Sequence, residues 1–198
     1  MKEEHEAFLG SSKKLLETPD RKTYTGLRDY ILILLILDTG IRPGEALKLL
    51  PEDFNLDSNE VTVREEIAKT RKKRTLPLSP LMHRQLAFDT LSASGMVGKH
   101  TALLFPGWET YARIFADSPV QEIQFPDSYK ITPYDLRHSF ALMYLRNGGN
   151  IFALQRTMGH VDLNMTKRYL ALTQEDLKAE YQKSFPINQL VEKRVRKV

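Results

Sequence analysis

The stretch ITPYDLRHSFALMYLRNGGNIFALQRTMGHVDLNMTKRYLAL, from Ile131 to Leu172, predicts three consecutive helices separated by glycines. Thr132 and Pro133 suit the start of the first helix, because proline has no N–H to leave unbonded in a first turn. The NGG run at residues 147–149 ends that helix, and Gly159 takes the C-cap position of the second. The third helix follows a VDLN segment, in which the Asp or the Asn side chain can cap it.

Four polar side chains in this stretch need an explanation beyond helix formation. Arg137 lies beside the apolar stripe of the first helix, so its guanidinium has to be paired or to face a cleft. His160 directly follows the glycine that ends the second helix. Tyr169 comes nine residues later, among apolar neighbours that also fit a simple packing role. His138 projects from a different helix face than Arg137, and we interpret it as a buried structural residue that makes a hydrogen bond.

Upstream of this stretch the pattern changes from helix to strand and back. The apolar run YILILLILDTG predicts a buried helix from about residue 26 to residue 38, capped by Gly40, and Pro43 fits the first turn of another helix. Ser79 and Pro80 begin a further helix. Between them, short β-branched runs predict a small antiparallel sheet of two or three strands within about residues 53–78, in a mostly helical α+β fold. We expect these strands at about Asp53–Leu56, Glu60–Ile67 and Arg74–Leu78.

The composition is that of a folded domain with a basic bias. The chain has 198 residues, of which 41% are hydrophobic and 27% are charged, and its formal net charge is +4. No apolar run approaches the roughly 18 residues of a membrane span, and the N-terminus lacks the layout of a signal peptide, so we expect a cytoplasmic protein. The chain has no cysteine, which excludes disulfides and thiolate chemistry. Cations concentrate at residues 64–74 and 191–198, which suits a polyanionic partner and also fits two solvated faces.

The second and third helices, taken alone, also resemble a helix-turn-helix, with a glycine between them and polar residues early in the second. That alternative is a DNA-binding module without catalysis. The helix-turn-helix alternative does not explain two residues upstream of these helices. They are Arg42, directly after a glycine turn in TGIRPGEALKL (Thr39–Leu49), and Lys69, at the tip of the strand pair in AKTRKKRTLPL (Ala68–Leu78).

Taken together, these motifs resemble the catalytic domain of the tyrosine recombinases, which include phage and transposon integrases. The resemblance covers about residues 18–172, and the motifs are specific in combination although each is weak by itself. Type IB topoisomerases share the same residues and intermediate, but the short compact chain argues against that alternative. The motifs are TGxRxxE, a hairpin lysine, xDLRH, GH and a late tyrosine, and the residues that carry them are Arg42, Lys69, Arg137, His160 and Tyr169.

The resemblance implies a phosphoryl transfer on double-stranded DNA that needs no ATP, metal or other cofactor and no small-molecule substrate. Tyr169 would attack a phosphodiester, form a 3′-phosphotyrosine and release a 5′-hydroxyl. Arg42 and Arg137 would hold the non-bridging oxygens of the transition state with forked, permanently charged donors. Lys69 would protonate the leaving 5′-oxygen. His160 would hydrogen-bond the phosphate or tune the tyrosine.

One position departs from the family's pattern. The residue three before the second arginine is commonly histidine, and here it is Tyr134. A phenol can donate a hydrogen bond but does not titrate near pH 7, so Tyr134 remains a candidate catalytic residue without a clear role as a base. Glu45 and Asp135 stand where the family often has acids that buttress its arginines. The side chains predicted to contact DNA are Arg71, Lys72, Lys73, Arg74, Lys167 and Arg168.

The resemblance also implies how the chain is organised. We expect an N-terminal helix or linker over residues 1–20, the catalytic domain over residues 21–172 and a helical tail over residues 173–198. Members of the family usually carry a DNA-clamping domain ahead of the catalytic part, so we expect this chain to be part of a longer protein. It would be a monomer alone and a homo-tetramer on DNA, with the tail packed onto a neighbouring protomer or folded back on its own domain.

Overall fold

The computed structural model describes residue 10 and residues 12–92 and 132–170. A helix described over residues 12–17, α1, is followed by a long and a short helix, a three-stranded sheet and four further helices. The mostly helical fold with one small antiparallel sheet is therefore confirmed, while the predicted tail lies outside the described residues. The bounds are α2 Tyr24–Thr39, α3 Pro43–Ala46, a 3₁₀ turn Pro51–Asp53, β1 Phe54–Asn55, β2 Glu60–Val63, β3 Arg74–Pro77, α4 Pro80–Ser92, α5 Pro133–Arg146, α6 Ile151–Met158 and α7 Leu163–Leu170.

Helix α2 has both of its ends set by the local sequence. The hydroxyl of Thr23 caps its start by accepting the backbone N–H of Gly26 at 3.1 Å. Gly40 ends it with a left-handed backbone, φ 63°, and donates its N–H to the carbonyl of Ile36 at 2.9 Å. The predicted helix is confirmed with bounds that differ by only a turn or less. Within the described ranges, no helix combines the length and the apolar character needed to cross a membrane.

Strands β1, β2 and β3 pair in that order as an antiparallel sheet, with Val61 of β2 opposite Leu76 of β3. Because side chains alternate along a strand, Val61 and Val63 share the buried face of β2. Strand β2 ends at Val63 and does not run on to Ile67 as predicted. The reason is local, since the N–H of Ala68 bonds the carbonyl of Arg64 at 3.0 Å and turns the chain before β3.

The main hydrophobic core lies around α2, which packs against both α4 and α5. Helix α1 belongs to this core, because Leu15 is 1% exposed. Its neighbour Ser12 is buried too, with its hydroxyl 2.9 Å from that of Ser139 on α5. Helix α1 therefore packs on the main core, and the division predicted at residue 20 stays a prediction.

A second, smaller cluster joins α5, α6 and α7. It fixes how α7 lies against α5, and these two helices carry Arg137 and Tyr169. The cluster also reaches α2, because the Phe140 ring packs on Gly40 so closely that a Cβ there would lie 2.2 Å from it. Its buried members are Phe140, Ala141, Leu142, Leu154, Met158 and Tyr169.

Candidate active site

The guanidinium of Arg137 is the centre of a buried polar cluster. Arg137 lies on α5 and is 4% exposed. One Nη atom donates to the carbonyl of Gly40, and the other donates to the carbonyl of Met158 at 2.6 Å. Both carbonyls lie at C-terminal ends of helices, α2 and α6, where partial negative charge accumulates. Carbonyl groups at two helix ends thus provide the hydrogen-bond partners that we predicted for the Arg137 guanidinium.

Arg137 keeps its charge in this setting. Burial lowers the pKa of its guanidinium to about 10, and the nearby charge of Arg42 acts in the same direction. Glu45 and Tyr169 act in the opposite direction. A pKa of about 10 leaves Arg137 protonated at neutral pH, so the cluster holds a cation that is fixed in place and largely removed from water.

Arg42 immediately precedes α3, and its side chain is 12% exposed. Its Nη2 donates to the carbonyl of Gly159 at 2.8 Å, and its Nη1 lies 3.3 Å from Oε1 of Glu45. Gly159 is left-handed, φ 61°, and a Cβ there would lie 3.2 Å from Nη1 of Arg42. Glycine at this position therefore serves both as the C-cap of α6 and as room for the guanidinium.

Arg74 joins the same cluster, although the sequence grouped it with the DNA-contacting cations. Its side chain is 10% exposed and is ion-paired with Glu45, with one Nη 3.2 Å from Oε1 and the other bonded to Oε2. Its Nε donates to the carbonyl of Thr157 at 3.3 Å. Arg74 therefore links β3 to the end of α6. Its side chain points inward and forms a buried ion pair, whereas we had grouped it with the exposed cations of the hairpin.

Glu45 is the carboxylate that balances these cations. It is 2% exposed and, besides Arg42 and Arg74, it accepts the backbone N–H of Lys69 at 3.0 Å. Burial by itself raises the pKa of Glu45, but Arg74, the Lys69 N–H and Arg42 together outweigh burial and hold it below its ordinary value. The predicted buttress of an arginine is thus present. With Arg137, three guanidinium groups gather around one carboxylate, which leaves an excess of positive charge.

His160 lies in the turn between α6 and α7. Its Nε2 is 3.2 Å from Nη2 of Arg137, and because a guanidinium can only donate, Nε2 accepts and the ring proton is on Nδ1. Nδ1 then donates to the hydroxyl of Thr166 at 2.8 Å. Burial, followed by the charges of Arg137 and Arg42, lowers the pKa of His160 to about 4. The imidazole is therefore neutral at physiological pH and orients Arg137.

Tyr169 lies on α7 and is 7% exposed, so its phenol is enclosed in the cluster. Its hydroxyl oxygen is 2.6 Å from Nδ1 of His138, and the two ring centroids are 5.6 Å apart. His138 is exposed, so its predicted burial is wrong, whereas the hydrogen bond predicted for it is present. Its hydrogen bond joins it to the candidate nucleophile. Helical periodicity gave no sign of this contact, because it depends on where α7 crosses α5.

The loop between β2 and β3 carries most of the other predicted cations. The backbone N–H of Lys69 is fixed on Glu45, while the Lys69 side chain is exposed. Exposed cations are free to meet the phosphates of a duplex, so their predicted role is compatible with their position. The side chain of Arg168 lies outside the described residues. The exposed side chains among those predicted to contact DNA are Arg71, Lys72, Lys73 and Lys167.

Two neighbouring residues in the first turn of α5 behave differently from each other. Tyr134 is 53% exposed, so its phenol lies mostly in solvent and its catalytic role stays a prediction. Asp135 is buried, and its Oδ2 accepts the backbone N–H of Thr132 at 2.7 Å and the Thr132 hydroxyl at 2.8 Å. These bonds make Asp135 the partner of a capping box at the start of α5.

Helices α6 and α7 follow each other as in a helix-turn-helix, but the turn between them makes hydrogen bonds to the arginine cluster. The carbonyls of Met158 and Gly159 bind Arg137 and Arg42, and His160 follows directly. A plain DNA-binding module does not require guanidinium groups buried behind its turn. The geometry therefore favours a site that binds an anion.

The chain matches the phage integrase family over residues 11–176 and belongs to that family. Tyrosine recombinase XerC of Pelotomaculum thermopropionicum is 32% identical over 191 residues, which cover 90% of this chain and 61% of the relative. XerA recombinase has a crystal structure similar to this fold, with a TM-score of 0.66 and 26% identity over 89% of this chain and 62% of that chain. The catalytic domain of bacteriophage HP1 integrase shares the fold, with a TM-score of 0.62 and 23% identity over 92% of this chain and 95% of that chain. The chain thus spans less than two thirds of the length of its XerC relative.

Proposed function

We propose that this chain is the catalytic domain of a site-specific DNA recombinase that cleaves and rejoins DNA through a 3′-phosphotyrosine on Tyr169. One observation carries the proposal. Tyr169 is 7% exposed and interacts electrostatically with Arg137, in a cluster whose cations exceed its carboxylates. A phosphodiester is the anion that such a cluster suits, and a phenol within it is a nucleophile. Membership of the phage integrase family supports the same function.

In the proposed reaction the arginines act on the transition state. Arg42 and Arg137 hold the non-bridging oxygens, which gather negative charge as the Tyr169 oxygen attacks phosphorus. Their guanidinium groups are already held by backbone carbonyls, so little reorganisation remains when the phosphate arrives. The new bond joins the Tyr169 oxygen to phosphorus, the bond to the 5′-oxygen breaks, and Lys69 supplies the proton to that oxygen.

The proposed partner is duplex DNA, and the proposed working state is a homo-tetramer assembled on two sites. The exposed cations of the β2–β3 loop and of α7 are the side chains that would meet the phosphates. The apolar residues Phe185, Ile187 and Leu190 of the tail suit burial on a neighbouring protomer or back on the tail's own domain, and in the proposed tetramer the tail links neighbouring protomers.

Trapping of a covalent adduct tests the proposal. The substrate is a labelled pool of nicked duplexes of randomised sequence, from which a short cleaved fragment diffuses away and leaves the protein attached. Wild-type protein is expected to carry label through a denaturing gel, and the attached strands reveal the preferred sequence. Tyr169→Phe should lose the adduct and keep DNA binding. Tyr144→Phe is the matched control, because it likewise removes one phenolic hydroxyl, from a partly buried tyrosine that packs against the same cluster as Tyr169. This control variant should keep the adduct.

Three other outcomes would contradict the proposal in different ways. An adduct that persists in Tyr169→Phe would mean that another residue is the nucleophile. Efficient relaxation of supercoiled plasmids without any sequence preference would favour a type IB topoisomerase. DNA binding without an adduct from any member of the pool would favour the helix-turn-helix alternative.

A further inference from the structure

We propose that His138 is the base that takes the proton of Tyr169 as the phenol oxygen attacks phosphorus. The inference rests on the proposed function and assigns a residue that the motifs of the family left unassigned. It starts from the contact between Nδ1 of His138 and the Tyr169 hydroxyl, 2.6 Å apart. This distance is within the range for direct proton transfer between a base and the group it activates.

The reaction needs such a base. A phenol has a pKa of about 10, so on the order of one tyrosine in a thousand is ionised at pH 7. An imidazole with an ordinary pKa of about 6.5 is largely unprotonated at that pH and is well matched to the transfer. His138 therefore brings the right chemical group to the right atom.

Other candidates for this role are less suitable in the described part of the chain. Tyr134 stands where the family commonly has a histidine, but it is a phenol and is 53% exposed. His160 has both ring nitrogens engaged, by Arg137 and Thr166, and its pKa of about 4 makes it a poor base. His83 on α4 bonds to Asn59 next to β2. His138, by contrast, contacts the hydroxyl of the nucleophile directly.

The proposed step balances in protons and bonds. The Tyr169 O–H proton moves to Nδ1 of His138, the Tyr169 oxygen bonds to phosphorus, and the bond from phosphorus to the 5′-oxygen breaks. Lys69 gives its proton to that oxygen. In the rejoining step the 5′-hydroxyl gives its proton back to Lys69 and attacks phosphorus, the bond from phosphorus to the Tyr169 oxygen breaks, and the imidazolium of His138 returns its proton to the phenol oxygen. Because His138 is exposed, its ring can also exchange protons with water between the two steps.

The surroundings of His138 decide how its pH dependence is to be measured. Tyr169 faces it from α7, His160 faces it from the turn before α7, and Arg137 adjoins it on α5. His160 is neutral above its pKa of about 4, so its own protonation does not enter a pH profile measured well above that value.

The test measures single-turnover adduct formation against pH for wild type and His138→Gln. Glutamine keeps a polar side chain near the phenol but cannot accept a proton from it. The wild-type rate is expected to fall in acid, where a protonated imidazole cannot take the proton of the phenol. His138→Gln should lose on the order of 10²–10⁴ in rate at pH 7, the usual contribution of a general base. Its rate should then rise steadily toward the pKa of the phenol, with no inflection from an imidazole.

Chemical rescue and an NMR titration test the role of His138 independently of the pH profile. Added imidazole should restore adduct formation to His138→Ala but not to Tyr169→Phe, and His83→Gln should behave like wild type. In the DNA-free protein, Tyr169→Phe should change the NMR titration of the His138 ring and leave that of His83 unchanged. A His138→Gln rate within about threefold of wild type, with the wild-type pH profile intact, would overturn the proposal. Failure of wild type itself to form a Tyr169-dependent adduct would count against the proposed function, whereas an unchanged His138 titration in Tyr169→Phe would count against this inference alone.

Discussion

Replacing Glu45 with glutamine is the substitution with the clearest expected effect on this site. The change keeps the volume of the side chain and removes its charge. Glu45 is 2% exposed and is the ion-pair partner of Arg42 and Arg74, whose side chains are only 12% and 10% exposed. The variant therefore leaves two cations that are shielded from water without the anion that balances them.

The magnitude follows from the burial of the pair. Removing one partner of a buried ion pair costs about 3–5 kcal/mol, because the remaining charge has neither water nor a counter-ion. For a domain of this size a loss of 1 kcal/mol lowers the melting temperature by about 2–4 °C, so Glu45→Gln should melt roughly 6–20 °C below wild type. Such a loss is a large part of a typical domain stability of about 5–15 kcal/mol.

Circular dichroism during heating and in urea measures this loss, and Asp53→Asn is the matched control. Asp53 is also buried, at 5% exposed, and caps the N–H of Leu50 while it pairs with Arg64. The Arg64 side chain is 32% exposed and can return to water, so the control should lose less stability. Asp53→Asn should also retain DNA cleavage, whereas Glu45→Gln should lose most of it even at temperatures at which it is folded.

The pH dependence gives an independent check. The pKa of Glu45 is lowered by folding, so its contribution to stability is complete above the unfolded value of about 4.5 and is lost as pH falls through the lower folded value. The difference between wild type and Glu45→Gln should accordingly shrink in acid. If Glu45→Gln melts no lower than Asp53→Asn at pH 7, or if the difference persists unchanged into acid, the carboxylate does not balance the arginines as described.

Four further predictions concern the other parts of the site and the tail. Lys69→Ala should regain cleavage on a substrate with a 5′-bridging phosphorothiolate, because sulfur leaves without a proton, and rescue of Arg137→Ala by the same substrate would refute this assignment. Arg137→Lys should lose on the order of 10²–10³ in cleavage rate, since a point charge cannot fork across two oxygens, and a near-normal rate would show that this geometry is unimportant. Gly159→Ala forces an L residue into a left-handed backbone and brings its Cβ to 3.2 Å from Arg42, so both melting temperature and cleavage should fall. Deletion of residues 185–198 should abolish cooperative assembly on DNA in gel-shift assays while the domain stays folded, and unchanged assembly would remove the tail from the subunit contacts.

Local sequence determined where the helices begin and end. Gly40 and Gly159 end α2 and α6 with left-handed caps, and Pro43 and Pro133 occupy first turns, because each of these residues restricts or frees the backbone at its own position. Less was predictable for the strands. Strand β2 stops at Val63 because of a turn that β-propensity does not encode.

Sequence motifs likewise identified the arginines, the second histidine and the tyrosine that the fold brings together. They did not identify the two side chains whose partners are distant along the chain. Arg74 bonds to Glu45, 29 residues before it, and to Thr157, 83 residues after it, so its inward position exists only once β3 meets α6.

The contact of His138 was even less predictable. Helical periodicity places His138 on a different face of α5 from its buried neighbour Arg137. Its partner Tyr169 is 31 residues away on α7, and packing of the second cluster decides where that helix crosses α5. A periodic pattern records which face of a helix is apolar, because that depends on the residues of the helix itself. The pattern does not record which side chain of another helix will lie against that face. Only the packed tertiary structure brings Nδ1 of His138 to 2.6 Å from the hydroxyl of Tyr169.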